Sequence, residues 1–141
     1  MKTSFDILNE IFNLCINDTE MSTLLGIDSS LSDNKLLDEQ NNKLRREFQT
    51  DEVIKSKDCP FISFYFLHAE KTKTNWLVNT GDLVIDIYTH NIYETELIAN
   101  RLRFLIANNI YALLTHEGQH YSGVNGVYKY RLIYNPLIDG E

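Results

Sequence analysis

The alternation of apolar and polar positions is plainest between Gly81 and Asn108, GDLVIDIYTHNIYETELIANRLRFLIAN. Leu83, Ile85 and Ile87 alternate with Val84, Asp86 and Tyr88, the pattern of a β-strand with one buried side. From Asn91 the period lengthens to about 3.6, because Ile98, Leu102, Leu105 and Ile106 share one helical face. Asn91 with Glu94 three residues later forms a candidate capping box at that helix start. A strand feeding a helix that can fold back over it seeds a two-layer domain of helices on a sheet.

Upstream, Ser4 can cap a helix over residues 5–17, with Leu8, Ile11, Phe12 and Cys15 as one apolar stripe. Asn17-Asp18-Thr19 interrupts it and caps a short helical turn from Met21 to Leu25, which Gly26 ends. Residues 27–58 are polar, and connections this long are usually functional or disordered. The segment reads as a projecting loop or arm with an edge strand or short helix around 35–48, or else as a solvated insertion. Pro60 opens the strand FISFYFLHA, apolar on both sides: Phe61, Tyr65 and Leu67 on one, Ile62, Phe64 and Phe66 on the other. Such a strand is either central and covered twice, or turns its second face to another subunit.

Lys71 to Asn75 reads as a hairpin or longer excursion, and Asn79-Thr80-Gly81 as a turn. After the long helix, Asn108-Asn109 is a stop and Tyr111–Thr115 a strand. Asn125-Gly126 signals a hairpin into a last strand, Val127–Asn135, which Pro136 ends. Tyr128, Tyr130, Leu132 and Tyr134 alternate there with Lys129, Arg131 and Asn135. The expected fold is a single α+β domain over 1–141. Its mostly antiparallel sheet of four or five strands is packed by the N-terminal helix and one long helix at about 91–108, with a long polar loop at 27–58.

Size and charge narrow the function. The 141 residues suit one domain with a real core, and a net charge of −7 argues against a general grip on nucleic acid. Cys15 and Cys59 read as buried free thiols rather than a disulfide framework. Asp6 and Glu10 within the first apolar pattern argue against a signal peptide, and no apolar run reaches the roughly 20 residues of a membrane span. A soluble protein made in a reducing cytoplasm is expected.

One motif suggests catalysis. His116-Glu117-Gly118-Gln119-His120 matches H-E-x-x-H, with Gly123 extending it. That chemistry requires a helix, where both imidazoles meet one zinc ion and the Glu acts as base on its water. Gly118 lies inside the motif, turn glycines follow, and Gly126 stands where the extended pattern expects its third ligand. A turn between strands that holds two histidines is the better account, with a small zinc metallopeptidase as the alternative. His68 and His90 are single, and no Gly-rich phosphate loop or nucleophile elbow is present. Asp86 points away from the apolar side of its strand, which marks a solvated or subunit-facing surface. No catalytic, cofactor-binding or metal-ligating residue is assigned, and no cofactor.

The positive clues concern assembly. Leu97 and Phe104 lie seven residues apart beside the core stripe of the long helix. With Asp86, Tyr88, Tyr128, Tyr130 and Tyr134 they form the candidate subunit interface, since amphipathic aromatics are enriched at interfaces.

Taken in order, an amphipathic helix closed by STLLGI, a polar loop, CPFISFYFL, GDLVIDIYTHNIYETELIANRLRFLIAN and a closing VYKYRLIYNPL resemble one family. It is that of the small tail-terminator, or head-to-tail joining, proteins of long-tailed bacteriophages. The resemblance covers most of the chain except 27–58. It implies a subunit of a ring, typically hexameric, that ends the tail tube and joins it to the head connector. The implied partners are further copies of itself, the tail tube protein and the head connector or head-completion protein, with no membrane. DNA would pass an acidic lumen without specific binding. The implied location is the head–tail junction of a virion assembled in the host cytoplasm, and the family brings no catalytic residues.

Overall fold

The computed structural model describes residues 3–71 and 78–139, and the side chains of 3–67 and 81–136. Five strands form one open sheet in the order β1-β2-β3-β5-β4. They are β1 (Leu44–Arg45), β2 (Phe61–Lys71), β3 (Val78–Thr89), β4 (Ala112–His120) and β5 (Tyr128–Asp139). Every neighbouring pair is antiparallel except the short parallel contact of β1 with β2. Helices α1 (Ser4–Ile16), α2 (Thr19–Leu24) and α4 (Ile92–Asn109) cover one face, and α3 (Asp33–Lys43) leads into β1. The fold is the expected single α+β domain with a mostly antiparallel sheet.

Register explains the main core. Ile62 pairs with Ile87 and Phe64 with Ile85, while β5 sets Leu132 and Tyr134 opposite Ile85 and Leu83. This row of side chains meets Ile7, Ile11, Phe12 and Cys15 of α1 and Ile98, Leu102, Leu105 and Ile106 of α4. Each such side chain removed from water stabilises the fold by roughly 1.5–3 kcal/mol. Asn91 caps α4 as expected, its side chain accepting from the Glu94 amide at 2.9 Å. Glu94 reaches back one residue further than a capping box requires, to the His90 amide at 3.2 Å.

Several local expectations are corrected. Thr3, not Ser4, caps α1, in a reciprocal capping box with Asp6. Ile7, four residues before Ile11, is buried in the stripe, and Leu8 packs at its border, partly buried. Asn79, Thr80 and Gly81 make no turn; they lie inside β3, paired with β2. The expected hairpin at 71–75 lies outside the described residues apart from Lys71. Pro136 does not end β5, which runs to Asp139 and pairs Pro136 with Ala112 of β4. β4 reaches His120, so Asn125-Gly126 sits in a longer connection, where Gly123 and Gly126 take φ of 81° and 78°.

The polar segment 27–58 holds more structure than a loop. It contains α3, β1 and a single 3-10 turn at Ser56–Asp58, and from β1 onward it folds back onto the sheet. Ile54 and Cys59 join Phe61, Tyr88 and Val127 in a second, smaller apolar cluster on the face opposite the helices. Ser63 donates to the Glu47 carbonyl at 2.5 Å, and Phe48 meets Tyr65 edge-on with ring centroids 5.5 Å apart. β2 is thus covered on both faces, one of the two arrangements its pattern allowed.

Candidate interaction surfaces

On the second face, β3 and β5 bring Asp86 opposite Arg131. The Arg131 guanidinium donates to both Asp86 oxygens, at 2.7 and 3.2 Å, and the Tyr65 hydroxyl donates to Oδ2 at 3.1 Å. Lys129 Nζ lies 3.8 Å from the same oxygen. Asp86 is 0% exposed, a buried carboxylate made tolerable by these partners. Burial, and then the Asp86 charge, push the Tyr65 phenol up to about 12. Burial likewise raises Tyr88, whose ring stacks on Phe61 at 4.7 Å.

These positions revise the candidate interface. Asp86, Tyr88 and Tyr134 are interior, so a second subunit does not reach them in this fold. Alternation alone put Asp86 and Tyr88 on the face away from the core; it does not reveal that residues 46–58 cover that face. Tyr130 is half-buried on the helix side, and Tyr128 is exposed at the start of β5. Leu97 and Phe104 share the outer side of α4 and are 41% and 54% exposed. Tyr93, one helical turn before Leu97 and 70% exposed, completes that stripe; its spacing could have placed it there from sequence. The seven residues therefore do not form one patch.

The outer stripe is held at a fixed angle. Arg101 lies over the Phe104 ring at 4.8 Å and donates to both Asp18 oxygens, at 2.8 and 2.5 Å. Asp18 also caps α2, accepting from Met21 at 2.8 Å, so one carboxylate ties α2 to α4. The Arg101 bonds, above all, hold the Asp18 carboxyl below its ordinary range. Toward β5, a hollow of about 210 Å³ lies between α4 and Tyr130, lined by Ile92, Ala99 and Arg103.

The histidine motif lies in a strand. His116 and His120 are both in β4, four residues apart, which in extended backbone separates them by about 13 Å. One ion cannot join them, so the geometry that zinc-peptidase chemistry needs is lost, and the motif is not a bend either. Glu117 points to the helix side instead. It accepts from the Tyr130 hydroxyl at 2.7 Å and Arg103 at 2.6 Å, bonds that lower its pKa. Burial, then the charge of Arg131, lower the pKa of His120. Among the described residues no group of three His, Cys, Asp or Glu side chains could hold a metal ion.

His90 is structural, its Nε2 lying 2.8 Å from the Ser56 carbonyl and so fastening the covering segment to the start of α4. The His68 side chain lies outside the described residues. Cys15 and Cys59 are free and buried, as expected; burial raises their thiols to about 12 and about 11. Among the described residues no helix is long and apolar enough to cross a membrane. Set against known protein families and curated proteins, the chain matches no family model and no curated protein.

Proposed function

We propose that this chain is a structural virion subunit that assembles into a ring at the head–tail junction of a long-tailed phage, ending the tail tube and joining it to the head connector. The observation that carries the reading is the stripe of Tyr93, Leu97 and Phe104, left in water along the outer side of a rigidly held helix. Large apolar and aromatic side chains exposed along one line of a helix suit contact with another protein. The order of segments that resembles the tail terminators supports the same reading. Heterologous contacts close into a ring when the rotation between copies permits. With a net charge of −7, a lumen built from such copies repels DNA rather than holding it.

The test is complementation of tail assembly with Leu97→Asp combined with Phe104→Asp. Both positions are exposed, so the variant is expected to fold with an unchanged circular dichroism spectrum. It is expected to leave tubes of uncontrolled length that do not join heads. Normal tails and joining in the complete absence of the protein would sink the reading, as would its location by electron microscopy anywhere but the neck.

A further inference from the structure

A sheet ends in two edges, and each edge strand keeps half of its backbone N–H and C=O groups for whatever lies beside it. One edge here is β4, nine residues long, with no strand on its outer side among the described residues. The other is β2, because β1 covers it only at Ile62 and Ser63. From Phe64 to Lys71 no strand pairs with the outer side of β2 among the described residues. The two open stretches are of nearly equal length.

Edges that must stay single are commonly protected by lysine, proline, inward-pointing charge or a bulge that twists the edge away. β4 contains no Lys and no Pro, and its one carboxylate, Glu117, is engaged by Arg103 and Tyr130, while the open stretch of β2 holds one lysine, Lys71, at its last residue. In a chain of net charge −7, this is a line along which a like-charged copy can approach with little repulsion.

The topology supplies the direction. β2, β3, β5 and β4 are antiparallel in turn, so the two open edges run in opposite senses. Copies rotated about an axis along the strands set β4 of one antiparallel to β2 of the next, with all helices on one side of the wall. Phe66, Leu83, Tyr134 and Leu114 form one row across the sheet. Their chain neighbours Leu67 and Leu113 lie at a similar level, one at each edge, 60% and 69% exposed. Both edge strands shift register, β2 between Phe66 and Ala69 and β4 between Leu114 and His116. Such bulges bend a sheet, and a wall that closes on itself needs bends.

We infer that the chain joins a second copy of itself by antiparallel pairing of β4 with the next copy's β2 between Phe64 and Lys71, the joint stitched by Leu113 against Leu67. Repetition of the joint carries the sheet around the ring. This rests on the ring proposed above and names the contact that builds it.

The test oxidises a double variant, Leu67→Cys with Leu113→Cys, whose native thiols are buried. A covalent ladder ending at the copy number of the ring is expected, with none from either single variant. Leu113→Lys should weaken self-association about tenfold or more in sedimentation, since an edge lysine disfavours pairing, and leave the circular dichroism spectrum unchanged. Rings seen by microscopy together with no ladder, and normal association of Leu113→Lys, would overturn the strand joint and leave the ring standing. Linking by Leu113→Cys alone, ending at dimers, would show β4 paired with itself and overturn both. A wild-type chain that never associates at its highest soluble concentration, with no ladder from the double variant, also overturns the joint; the place of the protein in the virion then decides the ring separately.

Discussion

Over β2 and β3 both faces of this sheet are covered, but by different chemistry. Under α1, α2 and α4 the contact is a continuous apolar layer in which β2, β3 and β5 contribute matched rows such as Phe64, Ile85 and Leu132. Under residues 46–58 the apolar cluster is small, and beside it lies a charge network built on Asp86, Arg131 and Tyr65. The first face is stabilised by area, which depends little on any one partner. The second is stabilised by pairing, where each group keeps its neighbours from being stranded.

The largest expected effect lies on the dry face. Phe64→Ala removes a fully buried ring between α1 and the sheet and should cost about 3–5 kcal/mol, enough to unfold most of a marginally stable chain. Urea unfolding measures it. A loss under about 1 kcal/mol would mean that the helices do not close on β2 as tightly as the register implies.

The paired face should respond to the partner rather than to the volume. Asp86→Ala strands Arg131 and the Tyr65 hydroxyl and should cost about 3 kcal/mol, less than a fully enclosed pair because Arg131 keeps some contact with water. Replacing both ends, Asp86→Leu with Arg131→Met, should restore part of that loss, since a well-packed apolar pair needs no partner charge. If the double variant is worse than Asp86→Ala alone, the loss lies in packing rather than in the stranded partners.

Only one of these faces was readable beforehand. The helix-side layer follows from periodicity: Ile98, Leu102, Leu105 and Ile106, and Leu83, Ile85 and Ile87, are all buried in it. The covering segment was not readable, because its fixed points are single contacts distant in sequence. His90 to Ser56, Ser63 to Glu47, and the close approach of Asp51 to Gly123, where a Cβ would come within 2.6 Å, leave no period in the sequence. The same cause hid Asp86, whose partner Arg131 lies 45 residues away. The edge at β4 was misread for another reason: glycine and histidine suggested a turn, and cross-strand pairing with β5 overrode that local preference.

Charge near the helix side behaves differently again. Asp18 and Arg101 sit at the rim of the dry layer, partly in water, so Asp18→Asn should bring only the small loss of a surface pair while keeping the α2 cap. Its mark is pH dependence. The folded pKa of Asp18 is lowered, so its stabilisation is complete above the ordinary carboxylate value of about 3.9 and is lost as pH falls through the folded value. Melting temperatures of wild type and Asp18→Asn should therefore differ at neutral pH and converge in acid. A constant gap across the acid range would remove the ion pair from the account.

The last change should carry no penalty. Tyr88 is fully buried on the paired face, stacked on Phe61, and its hydroxyl has no hydrogen-bond partner among the described residues. A buried hydroxyl left in that state costs about 1–3 kcal/mol, so Tyr88→Phe is expected to raise stability slightly while preserving the stack. That outcome would place the strain of the paired face at one atom, next to the Asp86 network but outside it. If Tyr88→Phe instead lowers stability, the hydroxyl is paired in solution. The network would then extend one residue further along β3, and the second face would be more fully satisfied than the first reading of its geometry allows.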